Sequence, residues 1–322
     1  MAATVRSLAV GVVGVVVTTI VVRMLTAIVW FGDLLAIGLP VVAVGSMAAL
    51  AACTAARSSR LVRFPFACLG IAAVVLTYAP RLGTGGDPPI DPVRLAAANV
   101  QWDNLRLGPA TAALVDVEAD VLVVSELTRA ADRRLAPAFA YRALSHGSLG
   151  DFGHDQGVYS RHPLEVLDVV RGSDVPISTV VVRVDAPHPF VLIGLHLPRP
   201  VLGGDAGDGE GVVSFERHRE LVGHVLELVD ELGAGGLPVV VAGDLNLADR
   251  TEGYRMATDR LHDAMVDGVA APTFGRSLPW RLLGLRIDHV FVTPQWCSEE
   301  PATFDVPGSD HRAVEAAVGP CR

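Results

Sequence analysis

Three long apolar runs precede Gly83, from Leu8 to Phe31, Leu34 to Ala56 and Phe64 to Pro80, and no comparable run follows it. A bilayer core of about 30 Å is crossed by a helix of roughly 20 apolar residues, so the second run is long enough and the third sits at the short limit. Arg23 interrupts the first run; an arginine is costly at the bilayer centre and tolerated near an end, where its side chain reaches the headgroups. No amphipathic period gives the runs a wet face, so residues 1–83 read as an anchor of about three transmembrane helices, with helices buried in a soluble core as the alternative. A cleavable signal peptide, with Arg6 ahead of the apolar stretch, is a second reading of the first run alone, and would leave two runs behind.

Charge divides at the same place. Residues 1–83 hold six arginines and one acid, a net charge of +5, whereas the remaining 239 carry 20 arginines against 34 acids, a net charge of −14. The whole-chain net charge of −9 and mean hydropathy of +0.42 therefore describe neither segment. Such a split excludes both a plain soluble enzyme and a purely embedded channel, because 239 residues suffice for a core of their own. Every basic residue is arginine, a compositional bias with no mechanism attached. The connector between the second and third runs carries Arg57, Arg60 and Arg63, and the one between the first and second carries Asp33. By the positive-inside rule Arg6 and the Arg57 to Arg63 loop are cytoplasmic, so the acidic domain is expected on the extracytoplasmic side of a multi-pass cell-membrane protein. Cys53 and Cys68 fall inside apolar runs as small apolar residues. Cys297 and Cys321 lie in the exported part, where a disulfide tying down the C-terminus and two free thiols are both open readings.

Residues 84–92 lie in the Gly/Pro-rich stretch Gly83-Thr-Gly-Gly-Asp-Pro-Pro-Ile-Asp-Pro92, an extended linker, and the domain is expected over 93–319. Within it, β-branched apolar runs predict strands at Arg94 to Val100, Val121 to Ser125, Thr179 to Val184, Phe190 to Leu195, Pro238 to Ala242, Ile287 to Thr293 and Ala313 to Val318. Leu105 to Val117 and Glu216 to Leu232 read as amphipathic helices, the second with Leu221, Val225, Leu228 and Leu232 at three- and four-residue steps. Gly203 to Gly211 is an acidic loop, and no internal repeat is visible. This mixture predicts one α/β domain of packed layers.

Chemistry-bearing residues stand at the strand ends. Val121-Leu-Val-Val-Ser-Glu126 ends in a carboxylate, and Pro238-Val-Val-Val-Ala-Gly-Asp-Leu-Asn246 ends with Asp244 and Asn246 two residues apart, on one face if extended. Phe190 to His196 ends in an imidazole, Asp288-His289 opens the Ile287 run, and Asp310-His311 precedes the last strand. Each alone has a bland reading: a loop charge, an Asx turn, a structural hydrogen bond. Gathered at one rim, they would make a hard-oxygen site suited to Mg²⁺ or Mn²⁺ with room for water and a phosphate. Zinc fits less well, because no Cys/His cluster has zinc spacing.

Asn99, Ser125-Glu126-Leu127, Gly157-Val-Tyr-Ser-Arg-His-Pro163, Leu195-His196-Leu197, Gly243-Asp-Leu-Asn246, Arg286-Ile-Asp-His289 and Gly308-Ser-Asp-His311 follow one another in the order found in the endonuclease/exonuclease/phosphatase superfamily, which the chain resembles from about Arg94 to Val318. Three helices ahead of such a domain are similar to a group of its bacterial membrane-bound members. The resemblance implies a four-layer α/β sandwich, two central mixed sheets flanked by helices, that hydrolyses a phosphoester with a divalent metal. It implies Glu126 as the principal Mg²⁺ or Mn²⁺ ligand, with Asn99 beside it and Asp310 completing the metal environment. Asp288 would orient His311 against the scissile phosphate, Asp244 would align or deprotonate the attacking water, Asn246 would hold a phosphate oxygen, and His196 would sit against the phosphate or leaving group. His289, adjacent to Asp288, is expected on the opposite face of its strand. Tyr159 and Arg161 are expected to shape the site without acting in it, and Thr273, Phe274, Trp280 and Arg281 to lie on a rim loop touching substrate or lipid. His218, His224 and His262 are read as surface residues.

The expected partners are a phosphoester substrate and, through the N-terminal helices, the lipid bilayer; no feature points to a protein partner. A domain at −14 disfavours tight binding to duplex DNA, since neutralised phosphates supply most of a nuclease's affinity. A lipid headgroup, a nucleotide or another small phosphoester is therefore preferred as substrate. An extracellular metal-dependent nuclease is the alternative, and a non-catalytic binding protein on the same fold is the alternative of another class.

Overall fold

The computed structural model describes residues 2–28, 32–79, 87–145, 155–167, 178–201, 212–268, 271–275 and 284–322. The chain forms two compact units, the first built on three helices and the second an α/β body.

In the first unit, α1 (Ala2–Ile28), α2 (Gly32–Ala55) and α3 (Arg60–Tyr78) follow the three apolar runs. The second and third are long and apolar enough to cross a membrane, and each buries only 28% of its apolar window. The apolar stretch described in α1, Val10–Leu25, is shorter. Thr18, Thr19 and Thr77 return their hydroxyls to carbonyls four residues back, which satisfies them without water. Close approach of α2 and α3 relies on small residues: a Cβ on Gly70 would lie 3.3 Å from Ser46.

The second unit runs β1 (Val93–Asn99), α4 (Leu107–Asp116), β2 (Val121–Leu127), α5 (Arg129–Leu135), β3 (Tyr141–Leu144), β4 (Asp155–Ser160), β5 (Leu164–Val166), β6 (Thr179–Val184), β7 (Phe190–His196), β8 (Arg199–Pro200), β9 (Val212–Val213), α6 (Phe215–Gly233), β10 (Val239–Asp244), α7 (Glu252–Thr258), β11 (His262–Asp263), β12 (Asp288–Val292), β13 (Trp296–Asp305) and β14 (Arg312–Pro320). Two six-stranded mixed sheets result, ordered β13-β14-β1-β2-β4-β3 and β11-β12-β10-β7-β6-β5. Residue alternation assigns each strand's two faces. Val93, Leu95 and Ala97 of β1 and Val240 and Ala242 of β10 meet between the sheets, with Phe190, Leu192, Val290 and Val314. Ala96 and Ala98 face α4 and α5 through Leu114 and Leu135, while Val239, Val241 and Phe291 face α6 and α7 through Val222, Val225 and Tyr254. The result is the four-layer sandwich expected from the sequence.

Several elements lie outside the predicted set. The edge strand β13 contains Glu299, Glu300 and Pro301, which mask its strand pattern; a register shift between Glu299 and Ala302 takes up the proline. Helices α5 and α7 have seven residues each, too few for a periodic signal. The end of the linker is already tied to the body, with the Ile90 amide donating to the Pro320 carbonyl at 2.8 Å. Cys297 and Cys321 form a disulfide beside this contact. The expected acidic loop from Gly203 to Gly211 lies outside the described residues.

Candidate functional site

Strand direction brings the site together. β1 and β2 are parallel, as are β7 and β10, so Asn99, Glu126, His196 and Asp244 all stand at C-terminal strand ends. β12 runs antiparallel to β10 and β14 to β1, which carries Asp288 and the residues just before β14 to the same edge. Asp244 pairs directly with both His196 and Asp288 in the ladder. By alternation Asn99, His196, Asp244 and Asp288 share the inward face of their sheets.

Glu126 breaks that rule. Its neighbours Leu122 and Val124 face the helices, so regular pleating would send Glu126 outward as well. A bulge between Val124 and Leu127, together with φ of 53° at Glu126, turns it into the site. A glutamate held in the left-handed region stores strain of order 1–3 kcal/mol.

All eight predicted site residues lie in one chain of contacts. The Asn99 amide nitrogen donates to Glu126 Oε1 at 2.8 Å and to Asp244 Oδ2 at 2.9 Å, while its oxygen accepts from the Gln101 amide at 2.9 Å. Asn99 thus fastens two carboxylates together; offering its oxygen to a metal would require the amide to turn over. The Trp102 amide donates to Glu126 Oε2 at 3.0 Å. Asp244 Oδ1 accepts from the Asn246 amide at 3.0 Å, and Oδ2 lies 3.5 Å from His196 Nε2 and 3.7 Å from His311 Nε2. The Asn246 side chain reaches His196 at 3.4 Å and the Leu197 carbonyl at 2.8 Å. His311 Nδ1 is 2.9 Å from Asp288 Oδ2, and its Nε2 is 3.9 Å from Asp310, whose carboxylate is half exposed.

The carboxylates settle the protonation of the imidazole between them. Burial alone would depress His311, but Asp288 and Asp244 outweigh it and raise it to about 10, so it is an imidazolium at neutral pH. Burial pushes Asp244 up, yet His311, His196 and the amides of Asn99 and Asn246 bring it below the ordinary carboxylate value. Asp288, buried and close to Asp244, is held above it.

The remaining expectations divide. His289 does face away, stacked on Phe291, with Nε2 2.7 Å from the Leu247 carbonyl and Nδ1 2.9 Å from Arg286. Tyr159 is buried on the α5 side with its hydroxyl on Asp132, and Arg161 bonds the Ala119 carbonyl. Thr273 is not a rim residue: it is fully buried, its hydroxyl accepts from the Ile287 and Asp288 amides, and it fixes the start of β12. Phe274 packs edge-on against the His311 ring with centroids 5.1 Å apart, and Trp280 and Arg281 lie outside the described residues. His218 is not a surface residue either. It is buried under the site, with Nε2 3.0 Å from the carbonyl of Leu245, between Asp244 and Asn246. A signal was available, since His218 stands three, four and seven residues before Leu221, Val222 and Val225 on the apolar face of α6. Ser309 was also missed: its hydroxyl donates to the Asn99 carbonyl and accepts from the His311 amide, tying the end of β1 to the approach to β14 within one sheet.

A divalent cation fits the charges present. Among the described residues, Glu126, Asp244, Asp288 and Asp310 form ion pairs with histidine only or with none, and no arginine pairs with them. Asp288 also keeps one buried oxygen without a hydrogen-bond partner. Donor atoms of Asp244, Asp288 and His311 lie within 4.8 Å of one another, but a protonated, hydrogen-bonded His311 is a poor ligand. Glu126, which is half-buried, and Asp310, which is exposed, are the better-placed donors for a hard cation.

The profile of the Endonuclease/Exonuclease/phosphatase family matches residues 96–311, which include every residue of this cluster. The chain belongs to that family. Solved structures share its fold at low identity. An endonuclease/exonuclease/phosphatase from Bacteroides vulgatus is similar at TM-score 0.52 and 19% identity, covering 71% of this chain and 99% of its own. The mannosyl-6-phosphatase Bt3783 of Bacteroides thetaiotaomicron follows at TM-score 0.51 and 17% identity over 70% and 99%. Danio rerio TDP2 complexed with a single-strand DNA product stands at 0.51 and 15% over 71% and 100%. No curated protein sequence matches the chain. In this family member, the helices of residues 2–79 precede the matched region.

Proposed function

We propose that this family member is a membrane-anchored, Mg²⁺- or Mn²⁺-dependent phosphoesterase. The observation that carries the reading is the Asp288–His311–Asp244 arrangement, a buried imidazolium held between two carboxylates beside Glu126 and Asp310. A cation held by Glu126 and Asp310, with Asn99 beside it, would supply positive charge to the non-bridging oxygens of a phosphoester. His311 donates from Nε2 to a phosphate oxygen, and Asp288 keeps that proton in place through Nδ1. Asp244 accepts a hydrogen from the attacking water and aligns it; a carboxylate below its ordinary pKa orients water better than it deprotonates it. The Asn246 amide and the His196 imidazole face the same space, one for a phosphate oxygen and the other for the leaving group.

The exposed apolar faces of α2 and α3 and the disulfide support an anchor with the catalytic unit outside the cytoplasm, where disulfides persist. The net charge of −14 after Gly83 favours a lipid headgroup, nucleotide or other small phosphoester over duplex DNA. A silent binding protein is disfavoured because every position in the contact chain holds a residue competent for its role.

The test is turnover of bis-p-nitrophenyl phosphate with Mg²⁺, Mn²⁺ or EDTA. Metal-dependent turnover is expected, with Asp244→Ala lowering it roughly 10²–10⁴-fold. Absence of metal-dependent turnover, or an Asp244→Ala variant equal to the parent, would overturn the assignment. A C-terminal alkaline phosphatase fusion tests the topology, and an inactive fusion beside an active cytosolic reporter would reverse it.

A further inference from the structure

The turn over residues 100–106, between β1 and α4, adjoins the site and carries two exposed apolar side chains between the exposed charges of Asp103 and Arg106. Leu105 is 99% exposed and Trp102 is 48% exposed. The other exposed large apolar residues described in this unit, Ile90, Tyr141 and Val166, lie elsewhere in the chain. A leucine on a slack loop can fold back onto the surface, but this one is held out. The Asn104 side-chain amide donates to the carbonyls of Val100 at 2.9 Å and Pro307 at 3.1 Å, and its oxygen accepts from the Arg106 amide at 2.7 Å. Gln101, at φ 59°, accepts from the Asp310 amide at 3.0 Å through its side chain. A Cβ on Gly308 would lie 1.8 Å from Asn104 Oδ1, so the neighbouring backbone closes against the turn. The backbone amides of Gln101 and Trp102 end on Asn99 and Glu126, which makes the tip and the reacting centre one rigid piece.

Such a tip needs an occupant that removes water from an aliphatic side chain while presenting a phosphate to the adjoining site. A small soluble phosphoester would leave Leu105 in water. A stacked nucleobase would use Trp102 but not an aliphatic tip three residues on. A phospholipid surface satisfies both demands. Leucine enters the acyl boundary, tryptophan sits at the headgroup level, and guanidiniums pair with lipid phosphates. Arg106 is exposed beside Leu105, and Arg134 reaches within 3.8 Å of the Cβ position of Gly108 at the start of α4. The chain also carries two helices fit to cross a bilayer.

We infer that residues 101–106 form a wedge that enters the headgroup region of a phospholipid bilayer, and that the phosphoester hydrolysed is carried by a lipid. This rests on the phosphoesterase reading above and narrows its substrate class.

The experiment uses the full chain reconstituted in mixed phosphatidylethanolamine–phosphatidylglycerol vesicles, with headgroup release and bis-p-nitrophenyl phosphate turnover measured side by side. Leu105→Ser is expected to leave soluble turnover within about two-fold and to lower headgroup release roughly ten- to a hundred-fold, the ratio that a buried leucine side chain supports. Independently of activity, brominated lipids should quench fluorescence that disappears in Trp102→Phe. Soluble turnover without headgroup release, equal loss on both substrates in Leu105→Ser, or quenching unchanged by Trp102→Phe overturns the wedge and leaves the phosphoesterase standing. Plasmid cleavage that outruns headgroup release also overturns it, in favour of a nucleic-acid substrate. No turnover of the soluble substrate by the parent overturns the underlying reading instead.

Discussion

His218 should make the α/β unit acid-labile, and the size of the effect follows from its burial. Enclosure within α6 and the layer beneath the site lowers its pKa to about 4 from an ordinary 6.5, against weaker opposing contributions from the Leu245 carbonyl and Asp244. Between those values an unfolded chain takes up a proton that the folded chain refuses, so stability falls as pH drops from 6.5 and the loss is complete near 4. About 2.5 units at 1.36 kcal/mol each gives about 3 kcal/mol from this residue alone. A glutamine at 218 can still donate to the Leu245 carbonyl but does not titrate. Urea unfolding of residues 84–322, which enclose their own three cores, should show the parent losing about 3 kcal/mol more than His218→Gln between pH 7 and pH 4. Asp263, which stays below the ordinary carboxylate range beside Arg286 despite its burial, adds an acid loss of its own only below about pH 3.8, outside this window. Parallel pH profiles for parent and variant would refute the placement of a neutral imidazole in that cavity.

Asp288→Asn removes the group that holds the His311 proton, and kcat for a soluble phosphoester should fall roughly 10²–10⁴-fold with little change in KM, as steady-state kinetics will show. Arg286 is wholly buried between Asp263 at 2.7 Å and Asp249 at 3.6 Å, so Arg286→Met should destabilise the unit by about 3–5 kcal/mol by removing the buried positive charge that both acids face, measurable as a drop in urea midpoint. Opening the Cys297–Cys321 disulfide frees a loop of sequence separation 24 and should cost about 3 kcal/mol, read from the same unfolding curve after paired serine substitution.

What could be read from the sequence were features with a local cause. The β-branched runs at Thr179–Val184 and Val239–Asp244 became strands because their side chains suit a surface buried on both faces, and the polar residue ending the second run marked the rim. What could not be read depended on contacts between distant segments. Strand β13 looks polar because only one of its faces meets the core, and Thr273 gives no periodic sign that its hydroxyl will accept the Ile287 and Asp288 amides. Glu126 is the instructive case. Its place in the motif announced a site residue, yet strict alternation along β2 would have put it on the wrong face, and only the bulge and the left-handed turn reconcile the two.

That reconciliation recurs around the rim. Gln101, Glu126, Gly243, Asn246 and Gly308 all have positive φ, and each adjoins or forms part of the contact chain through Asn99, Asp244 and His311. At Gly243 a Cβ would lie 2.0 Å from the Leu195 carbonyl, so the parallel strands bearing His196 and Asp244 approach there more closely than any other residue permits. Regular strands alone would deliver side chains at fixed spacings along fixed faces, too coarse to set four carboxylates and two imidazoles in one contact chain. The unusual backbone at each strand end supplies the adjustment, and the apolar layers beneath hold it against relaxation. Substitutions that relieve this strain at Gln101 or Glu126, such as glycine, should therefore keep or raise stability while loosening the site. Ordinary core truncations should do the opposite, lowering stability before they change the geometry of the carboxylates.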